Sequence, residues 1–572
     1  MKKSVIILIN IIFLASMGCS DILEKFPLDK PSQETFYTNA NEISSGINAC
    51  YKFLQEHSTN SYLYPIVLDC MSDNGFPRQV GDAKTIAQGE QDDKNGTIRE
   101  AWRRCYQGIG RCNNMLKVIG EKKDILTETQ INQFRGEALF LRAFYYTRLI
   151  TYWGDVPLVT EPVTSISEAS TITRTPKDQV LTQIMADYTE AANLLPAEYS
   201  AAVDKGRATK GTVNAYKART ALYNAQWSVA AEAAKTVMES GVYKLYPKYG
   251  DLFMPTGLWD DNNKEIILKR EFGGAINEYH QLPQYLLSRN VSGWACMVPS
   301  QRLIDSYPCI DGMNIVESPL FNKATPFENR DPRLKLSFVM PGDRFGDFRF
   351  DGHIDSTTCY NYVTGTYVTN NDCYAVNQYT SYTGYYPRKY ADMDYKSKLT
   401  QGDYPLILCR NREILLTYAE AKIELNQIDQ SVVDALNLLR TARSDVKMPE
   451  FTIASLGNQN SARLKVRLER KIELAFEGFR FTDLRRWGWA NKYGNLPILG
   501  RPFRGAFSNW PEVSFDENGE PQYIGYQNYE GHPSTDYRVV ENRLFTPNRD
   551  ELWPIPEAER NLNPNLTQNP GY

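Results

Sequence analysis

Apolar side chains recur every three or four residues through much of the chain, a spacing that predicts amphipathic helices. The clearest stripe comprises Ile98, Trp102, Cys105, Ile109, Cys112, Leu116 and Ile119. A second stripe comprises Phe134, Ala138, Leu141, Tyr145 and Leu149, and it stops near Gly154 and Pro157. Because such stripes must pack against partners, the pattern predicts a helical array over residues 41–245.

Later segments show the same apolar spacing. Helices are predicted from Pro176 to about Leu195, in two Ala-rich stretches around Gln226, and over 411–426 and 431–444 with a short turn between them. A further long helix is predicted around residues 463–481, ending near Gly488. The alternation of small and large residues in paired helices is typical of tetratricopeptide repeats, although the spacing is not a strict 34 residues.

The middle of the chain has a different pattern. From about Tyr246 to Tyr404 the helical periodicity fades, and Gly, Asn, Asp and Pro become frequent. Ten of the 37 residues between Cys359 and Tyr395 are tyrosines. The sequence therefore predicts a mainly α protein, in which a tetratricopeptide-like helical array scaffolds a loop-rich lobe with short strands.

Composition and charge exclude several classes of protein. The 572 residues are 42% hydrophobic and 23% charged, which excludes disordered, collagenous and multi-span membrane classes. With 64 basic and 68 acidic side chains the net charge is -4, so no nucleic-acid footprint is present. No segment after the N-terminus reaches the length of about 18 apolar residues that a membrane span needs.

The N-terminus resembles a bacterial lipoprotein signal. Lys2 and Lys3 precede an apolar run, and small residues lead to Gly18 and Cys19. Cys19 is the predicted lipidation site, carrying acyl chains such as palmitate, although Ser16 stands where the usual signal has Leu. Ordinary cleavage nearby, with Cys19 incidental, is the alternative. The predicted division is 1–18 signal peptide, 19–40 extended tether, 41–245 N-terminal helical region, 246–405 aromatic-rich ligand-binding lobe, 406–490 C-terminal helical region and 491–572 irregular strap.

Cysteines and histidines indicate neither a disulfide framework nor a zinc site. Nine cysteines remain besides Cys19, with no C-x-x-C pair, and Cys105 and Cys112 are predicted buried thiols. A Cys359–Cys373 disulfide stays open. The four histidines are scattered and form no H-E-x-x-H, so no metal or cofactor is predicted, with structural calcium in the Asp- and Asn-rich loops left open.

Catalytic motifs are missing too. The chain has no G-x-S-x-G and no Walker A loop, and adjacent acids such as Asp92 and Asp93 arise by chance among 68 carboxylates. We therefore predict binding without catalytic residues. Tyrosine and tryptophan suit a sugar-binding surface, because a ring offers an apolar face to pyranose C–H groups while polar side chains reach the hydroxyls.

Several strings together carry a family resemblance. They are Pro27–Ser32, Leu141–Tyr146, Gly154–Pro157, Asn329–Arg333, Tyr418–Ala421, Phe476–Gly478, Asp483–Gly488 and the terminal Thr567–Tyr572. In this order they resemble the SusD/RagB family of nutrient-binding surface lipoproteins. The resemblance implies an outer-membrane, lipid-anchored, surface-exposed protein that partners a SusC-like TonB-dependent transporter and passes it a glycan ligand.

The resemblance also implies where the ligand binds: in the loop after the first helices and in the irregular lobe. By position, the candidate ligand-binding residues are Asp73, Asn74, Phe76, Trp294, Tyr360 and Tyr362. Trp259 is a further exposed-ring candidate, with packing as its alternative role. Two other functions stay open: capture of peptide on the same scaffold, and surface degradation of glycan.

Overall fold

The computed structural model describes residues 36–54, 64–78, 81–201, 204–502, 506–524, 526–528 and 536–572. The predicted signal peptide, Cys19 and the tether as far as residue 35 lie outside the described residues. Within those ranges, no helix combines the length and apolar character needed to cross a bilayer.

Helices dominate the first half of the chain. They are α1 (Ala40–Cys50), α2 (Pro65–Cys70), α3 (Ala83–Gln88), α4 (Gly96–Glu121), α5 (Glu128–Trp153), α6 (Ile166–Ala169), α7 (Lys177–Leu194), α8 (Lys210–Tyr223), α9 (Trp227–Met238), α10 (Tyr249–Leu252) and α11 (Pro255–Leu258). Those of the second half are α12 (Leu282–Leu286), α13 (Gln301–Ser306), α14 (Arg333–Ser337), α15 (Asn411–Glu424), α16 (Gln430–Thr441), α17 (Ile453–Leu456), α18 (Gln459–Glu473), α19 (Arg480–Arg486), α20 (Ala490–Tyr493) and α21 (Glu557–Leu562).

The long helices form an array of consecutive neighbours. Helix α5 packs between α4 and α7, α8 packs on α9, and α15 packs on α9, α16 and α18. A capping box at Thr127 and Gln130 begins α5, and Gly154, with φ of 71°, ends it. The predicted mainly α, tetratricopeptide-like architecture is confirmed. The division into six segments stays a prediction.

The predicted long helix before Gly488 is wrong in one respect. It is two helices, α18 and α19, separated by residues 474–479. Phe476 and Gly478 adopt left-handed φ angles of 63° and 88°, which an α-helix cannot include. Asp69 holds this break, because its carboxylate accepts hydrogen bonds from the backbone N–H groups of Glu477 and Arg480.

The strands are short. They are β1 (Gly75–Pro77), β2 (Ile266–Arg270), β3 (Met297–Pro299), β4 (Phe338–Val339), β5 (Arg344–Phe345), β6 (Phe348–Arg349), β7 (Thr358–Asn361), β8 (Thr366–Thr369), β9 (Tyr386–Pro387), β10 (Leu406–Arg410), β11 (Ile498–Gly500), β12 (Val513–Phe515), β13 (Pro521–Tyr523), β14 (Tyr526–Asn528) and β15 (Tyr537–Glu541). One sheet has the order β5-β6-β7-β8 and is antiparallel throughout, and another has the order β11-β15-β14 with β14 parallel to β15. The pairs β1-β3, β2-β10, β4-β9 and β12-β13 are antiparallel.

The C-terminal segment packs on the helical array. The Trp553 ring stacks on Tyr152 of α5 at 4.4 Å between centroids, and the Trp153 indole N–H donates to the Pro554 carbonyl at 2.9 Å. The predicted irregular strap, residues 491–572, contains the five short strands β11 to β15 and the short helix α21. Its anchoring on α5 shows why the chain's last residues are ordered although they contain several prolines.

Buried ion pairs join the lobe to the helices. Glu473, at the end of α18, accepts hydrogen bonds from Arg333 of α14, Arg410 of β10 and Arg443 at 3.0, 2.9 and 3.4 Å. All four side chains are almost fully removed from solvent. These contacts connect four segments that are far apart along the chain.

The nine cysteines of the described ranges are all free thiols and all buried. Burial of Cys105 and Cys112 agrees with their prediction. The disulfide left open between Cys359 and Cys373 is not formed in the structure. Instead the Cys373 thiol donates to the Ile354 carbonyl at 3.2 Å.

Gly108→Ala is expected to destabilise the helical array. A Cβ on Gly108 would lie 2.3 Å from the Tyr145 ring, which is fixed by a 2.6 Å hydrogen bond from its hydroxyl to the Cys50 carbonyl. Overpacking of this kind costs about 1–3 kcal/mol. The matched control is Gly110→Ala in the same helix, where nothing lies within 4 Å, and it should stabilise by about 0.5–1 kcal/mol. Denaturant titration of both variants measures the difference, and equal effects would contradict the packing argument.

Candidate functional site

Three of the predicted ligand residues are buried in the structure, which is at odds with direct contact to a ligand. Asp73, Asn74 and Phe76 expose at most a twentieth of their surface. Strand β1 pairs with β3, so the segment 73–77 runs beneath the surface instead of along it. Side chains with so little exposure offer a ligand almost no surface.

Asp73 and Asn74 each make contacts that stabilise the fold. Both carboxylate oxygens of Asp73 accept hydrogen bonds from Arg480 at 2.8 Å. Burial alone would raise the pKa of Asp73, but the charge and hydrogen bonds of Arg480 outweigh it and hold the pKa well below its ordinary value. Asn74 presents its backbone carbonyl to the Ser300 N–H at 2.9 Å. Asp73 is therefore the counter-ion of Arg480.

Trp294 is exposed, as predicted for a ligand residue. About a third of its surface is accessible, and its ring packs edge-on against Tyr285 at 5.6 Å. The flanking residues Ser292 and Ala295 adopt left-handed φ angles of 65° and 52°, which turn the chain sharply on either side. The Trp294 backbone N–H donates to the Gln284 carbonyl at 2.6 Å, so the loop is held against α12.

A buried arginine brings two tyrosines to the same place. The Arg78 guanidinium donates a hydrogen bond to the Trp294 carbonyl and lies 5.5 Å from the ring centroids of both Tyr379 and Tyr382. Tyr379 is exposed and Tyr382 is half-buried. We call Trp294, Tyr379 and Tyr382, with Arg78 beneath them, the Trp294 patch.

Phe76 supports this patch from below. Its ring stacks on Tyr382 at 5.7 Å with the planes only 17° apart. Phe76 was predicted as a ligand residue, whereas in the structure its ring lies beneath Tyr382, and Arg78, Tyr379 and Tyr382 were not predicted. Arg78 is only two residues from Phe76, and both tyrosines lie in the tyrosine-rich segment. The sequence therefore pointed to this region, but it did not indicate which of the many tyrosines there are exposed.

The other two predicted residues lie on the β5–β8 sheet. Tyr360 contacts Tyr362 and Tyr367 at centroid distances of 5.1 and 5.6 Å, in edge-to-face arrangements. Tyr362 and Tyr367 are exposed, Tyr367 to 69%. We call these three rings the tyrosine face.

Buried polar contacts hold the two aromatic surfaces on neighbouring segments. Asp372, just after β8, accepts hydrogen bonds from the Arg289 N–H at 2.9 Å and the Tyr386 hydroxyl at 2.6 Å. Asn290 donates to Asp372 at 3.0 Å and accepts from the Asn371 N–H at 2.7 Å. Burial raises the pKa of the Asp372 carboxyl. The loop that carries Trp294 and the strand end that follows the tyrosine face are therefore tied together.

This arrangement is suited to binding. It offers aromatic rings with polar tips on a rigid support, which matches ligands having both apolar faces and hydroxyl or amide groups. Among the described residues, no group of three His, Cys, Asp or Glu side chains is placed to hold a metal ion.

A separate groove lies on the helical side. It encloses about 1020 Å³ between α4, α6 and α21, and its lining includes Trp102, Tyr106, Ile109, Val159, Ile166 and Leu562. Ile166 is 89% exposed and Leu562 75% exposed, which is unusual for large apolar side chains that lie together.

Comparison with known proteins gives consistent matches over nearly the whole chain. Residues 264–572 match the family model described as "SusD family", and residues 23–222 match the model described as "Starch-binding associating with outer membrane". SusD-like protein P2 of Formosa agariphila is 28% identical over 599 residues, covering 100% of both chains.

Solved structures agree. A SusD-like carbohydrate-binding protein of Bacteroides fragilis is 28% identical with a TM-score of 0.76, covering 93% of this chain and all of that one. A laminarin-binding SusD-like protein is 21% identical with a TM-score of 0.59, covering 94% of this chain and all of that one, and shows a shared fold.

Proposed function

We propose, from the premise that this chain belongs to the SusD/RagB family, that it is a cell-surface lipoprotein that captures oligosaccharide or polysaccharide. It delivers this ligand to a TonB-dependent outer-membrane transporter without breaking any bond. Glycan capture agrees with the names of its relatives, since a similar solved structure is that of a SusD-like carbohydrate-binding protein.

The observation that carries the proposal is the Trp294 patch. The buried Arg78 guanidinium donates to the Trp294 backbone carbonyl and lies beside the rings of Tyr379 and Tyr382, and the side chains of Trp294 and Tyr379 are exposed. Carbohydrates need this combination, since pyranose faces pack on rings while the ring hydroxyl or a neighbouring polar group contacts the sugar hydroxyls. The tyrosine face extends the same chemistry over a second surface.

The helical side suits the transporter. The groove beside α4, with Ile166 and Leu562 exposed on it, lies on the helical array and not in the lobe. We propose that the transporter contacts this groove and leaves the Trp294 patch open to the ligand. Cys19 and the predicted tether lie outside the described residues. Lipidation of Cys19 would hold the folded part of the protein at the outer membrane.

Purified full-length chain in detergent is expected to bind glycan and release it unchanged. A panel of soluble polysaccharides, tested by isothermal titration, should contain ligands with Kd between about 1 mM and 1 µM, corresponding to roughly 4–8 kcal/mol. Chromatography of the recovered glycan should show no change in chain length. A mixture of peptides is the comparison.

Two results would contradict the proposal. Binding of peptides with no binding across the glycan panel would assign peptide capture to the same scaffold. Product formation that disappears on changing one carboxylate would make the protein an enzyme.

A further inference from the structure

The β5–β8 sheet has one face directed to solvent and one directed to the body. The pairing of residues between neighbouring strands shows which side chains share a face. Arg344 pairs with Arg349, Phe345 with Phe348, and Phe348 with Asn361. Since neighbouring residues alternate and paired residues share a face, Arg344, Arg349 and Tyr360 lie on one side. Tyr367 joins them because it pairs with Tyr360.

The opposite face fixes the sheet on the body. Phe345 and Cys359 are buried, and the Phe345 ring contacts Tyr386 at 5.5 Å. The solvent face therefore stands on a packed support. Binding surfaces of this kind lose little conformational entropy when a ligand arrives.

Both arginines of the solvent face are exposed. Arg344 donates from Nε to the Gly346 carbonyl at 2.8 Å, and its guanidinium lies 4.8 Å from the Tyr362 ring centroid. Within the described ranges, neither Arg344 nor Arg349 has a carboxylate within 4.0 Å. Their charges are thus available to an anionic ligand.

Three of the four acids between residues 343 and 369 have an arginine or lysine partner: Asp343 pairs with Arg388, Asp347 with Lys396 and Asp351 with Arg501. The fourth, Asp355, lies 3.8 Å from His353, whose ring is charged only when protonated. On the solvent face, two exposed guanidinium groups stand beside three tyrosine rings. Guanidinium forks match the oxygen geometry of sulfate and carboxylate.

We propose that this face, comprising Arg344, Arg349 and the tyrosine face, binds an anionic glycan that carries sulfate esters or uronate carboxylates. The proposal rests on the proposed glycan-binding function and names its substrate class. The rings hold the pyranose units, and the two arginines select those that carry negative charge.

The test compares matched ligands. Isothermal titration of the full-length chain uses a neutral galactan oligosaccharide, its sulfated counterpart and an oligogalacturonate. The two anionic ligands are expected to bind about tenfold more tightly than the neutral one. Their affinity should fall as salt rises from about 50 to about 500 mM, because the arginines are exposed to screening.

Arginine variants locate the effect. Arg344→Gln with Arg349→Gln should remove most of that tenfold preference. The matched control removes two exposed charges from the helical array, with Arg99→Gln and Lys210→Gln, and should leave the preference intact. Tyr367→Ala should weaken both anionic and neutral binding, since it removes a ring and no charge.

The outcomes separate the two proposals. Equal affinity for neutral and anionic glycans, or an equal loss in the control variant, would overturn the anionic specificity and leave glycan capture standing. Absence of binding to all three oligosaccharides and to the wider polysaccharide panel would overturn glycan capture itself, and the specificity with it.

Discussion

Replacing Glu473 with alanine is expected to lower the free energy of unfolding by about 3–5 kcal/mol, the largest stability effect we predict. Glu473 is fully buried and accepts hydrogen bonds from Arg333, Arg410 and Arg443. Removing its carboxylate leaves these guanidinium groups buried with fewer partners, which costs more than the ion pairs contribute by being present. Denaturant titration measures the loss.

The matched control is an exposed ion pair on the helical array. Glu239 lies 3.6 Å from Lys235, and both side chains are more than half exposed. Glu239→Ala should change the free energy of unfolding by less than about 0.5 kcal/mol. Similar losses in the two variants would show that the buried network does not hold the lobe on the helices.

The same site has a pH signature. Burial alone would raise the pKa of Glu473, but the surrounding arginines outweigh it and hold the pKa well below the ordinary value of 4.5. A carboxylate with a lowered folded pKa stabilises the fold above its unfolded pKa, and this contribution is lost as the pH falls below it. The native chain should therefore lose stability below about pH 4.5 more steeply than the Glu473→Ala variant.

Trp294→Ala is expected to weaken glycan binding by roughly 5- to 30-fold, the largest binding effect we predict. The indole is exposed at the Trp294 patch, where loss of an aromatic contact costs about 1–2 kcal/mol. The fold should be affected little, because the ring makes one edge-on contact with Tyr285. Titration with the best ligand of the panel and a thermal melt measure the two effects.

Two further variants serve as controls for Trp294→Ala. Trp294→Phe keeps an aromatic face and should retain most of the affinity. Trp259→Ala removes an exposed ring that lies outside the patch, with Lys269 5.1 Å from its centroid, and should leave binding within about twofold. A thermal midpoint that drops by many degrees in Trp294→Ala would assign this tryptophan to packing, and unchanged affinity would remove the patch from the binding site.

Local pattern was sufficient for the helices. The stripe from Ile98 to Ile119 is α4, and the stripe from Phe134 to Leu149 lies in α5, because an amphipathic helix is specified by residues three and four apart. The same reasoning failed between α18 and α19. There the left-handed Phe476 and Gly478 interrupt an apolar stripe, and the partner that holds the break is Asp69, about 400 residues earlier.

The candidate site also has residues that the sequence predicted and residues that only contacts between distant segments place there. Trp294, Tyr360 and Tyr362 were predicted by position from the family resemblance, and all three lie at the surface or partly so. Asp73 was predicted in the same way, but it is buried against Arg480, 407 residues away. Arg78 gains its place only because β1 and β3 bring it under Trp294, at a separation of 216 residues.

The sequence by itself determined the helical array, the tyrosine-rich lobe and the family, since each depends on short-range spacing or on strings of consecutive residues. Only the tertiary structure decided which polar and aromatic side chains face solvent. Burial is settled by contacts between distant segments, and a residue's type and near neighbours do not specify which distant segment will cover it.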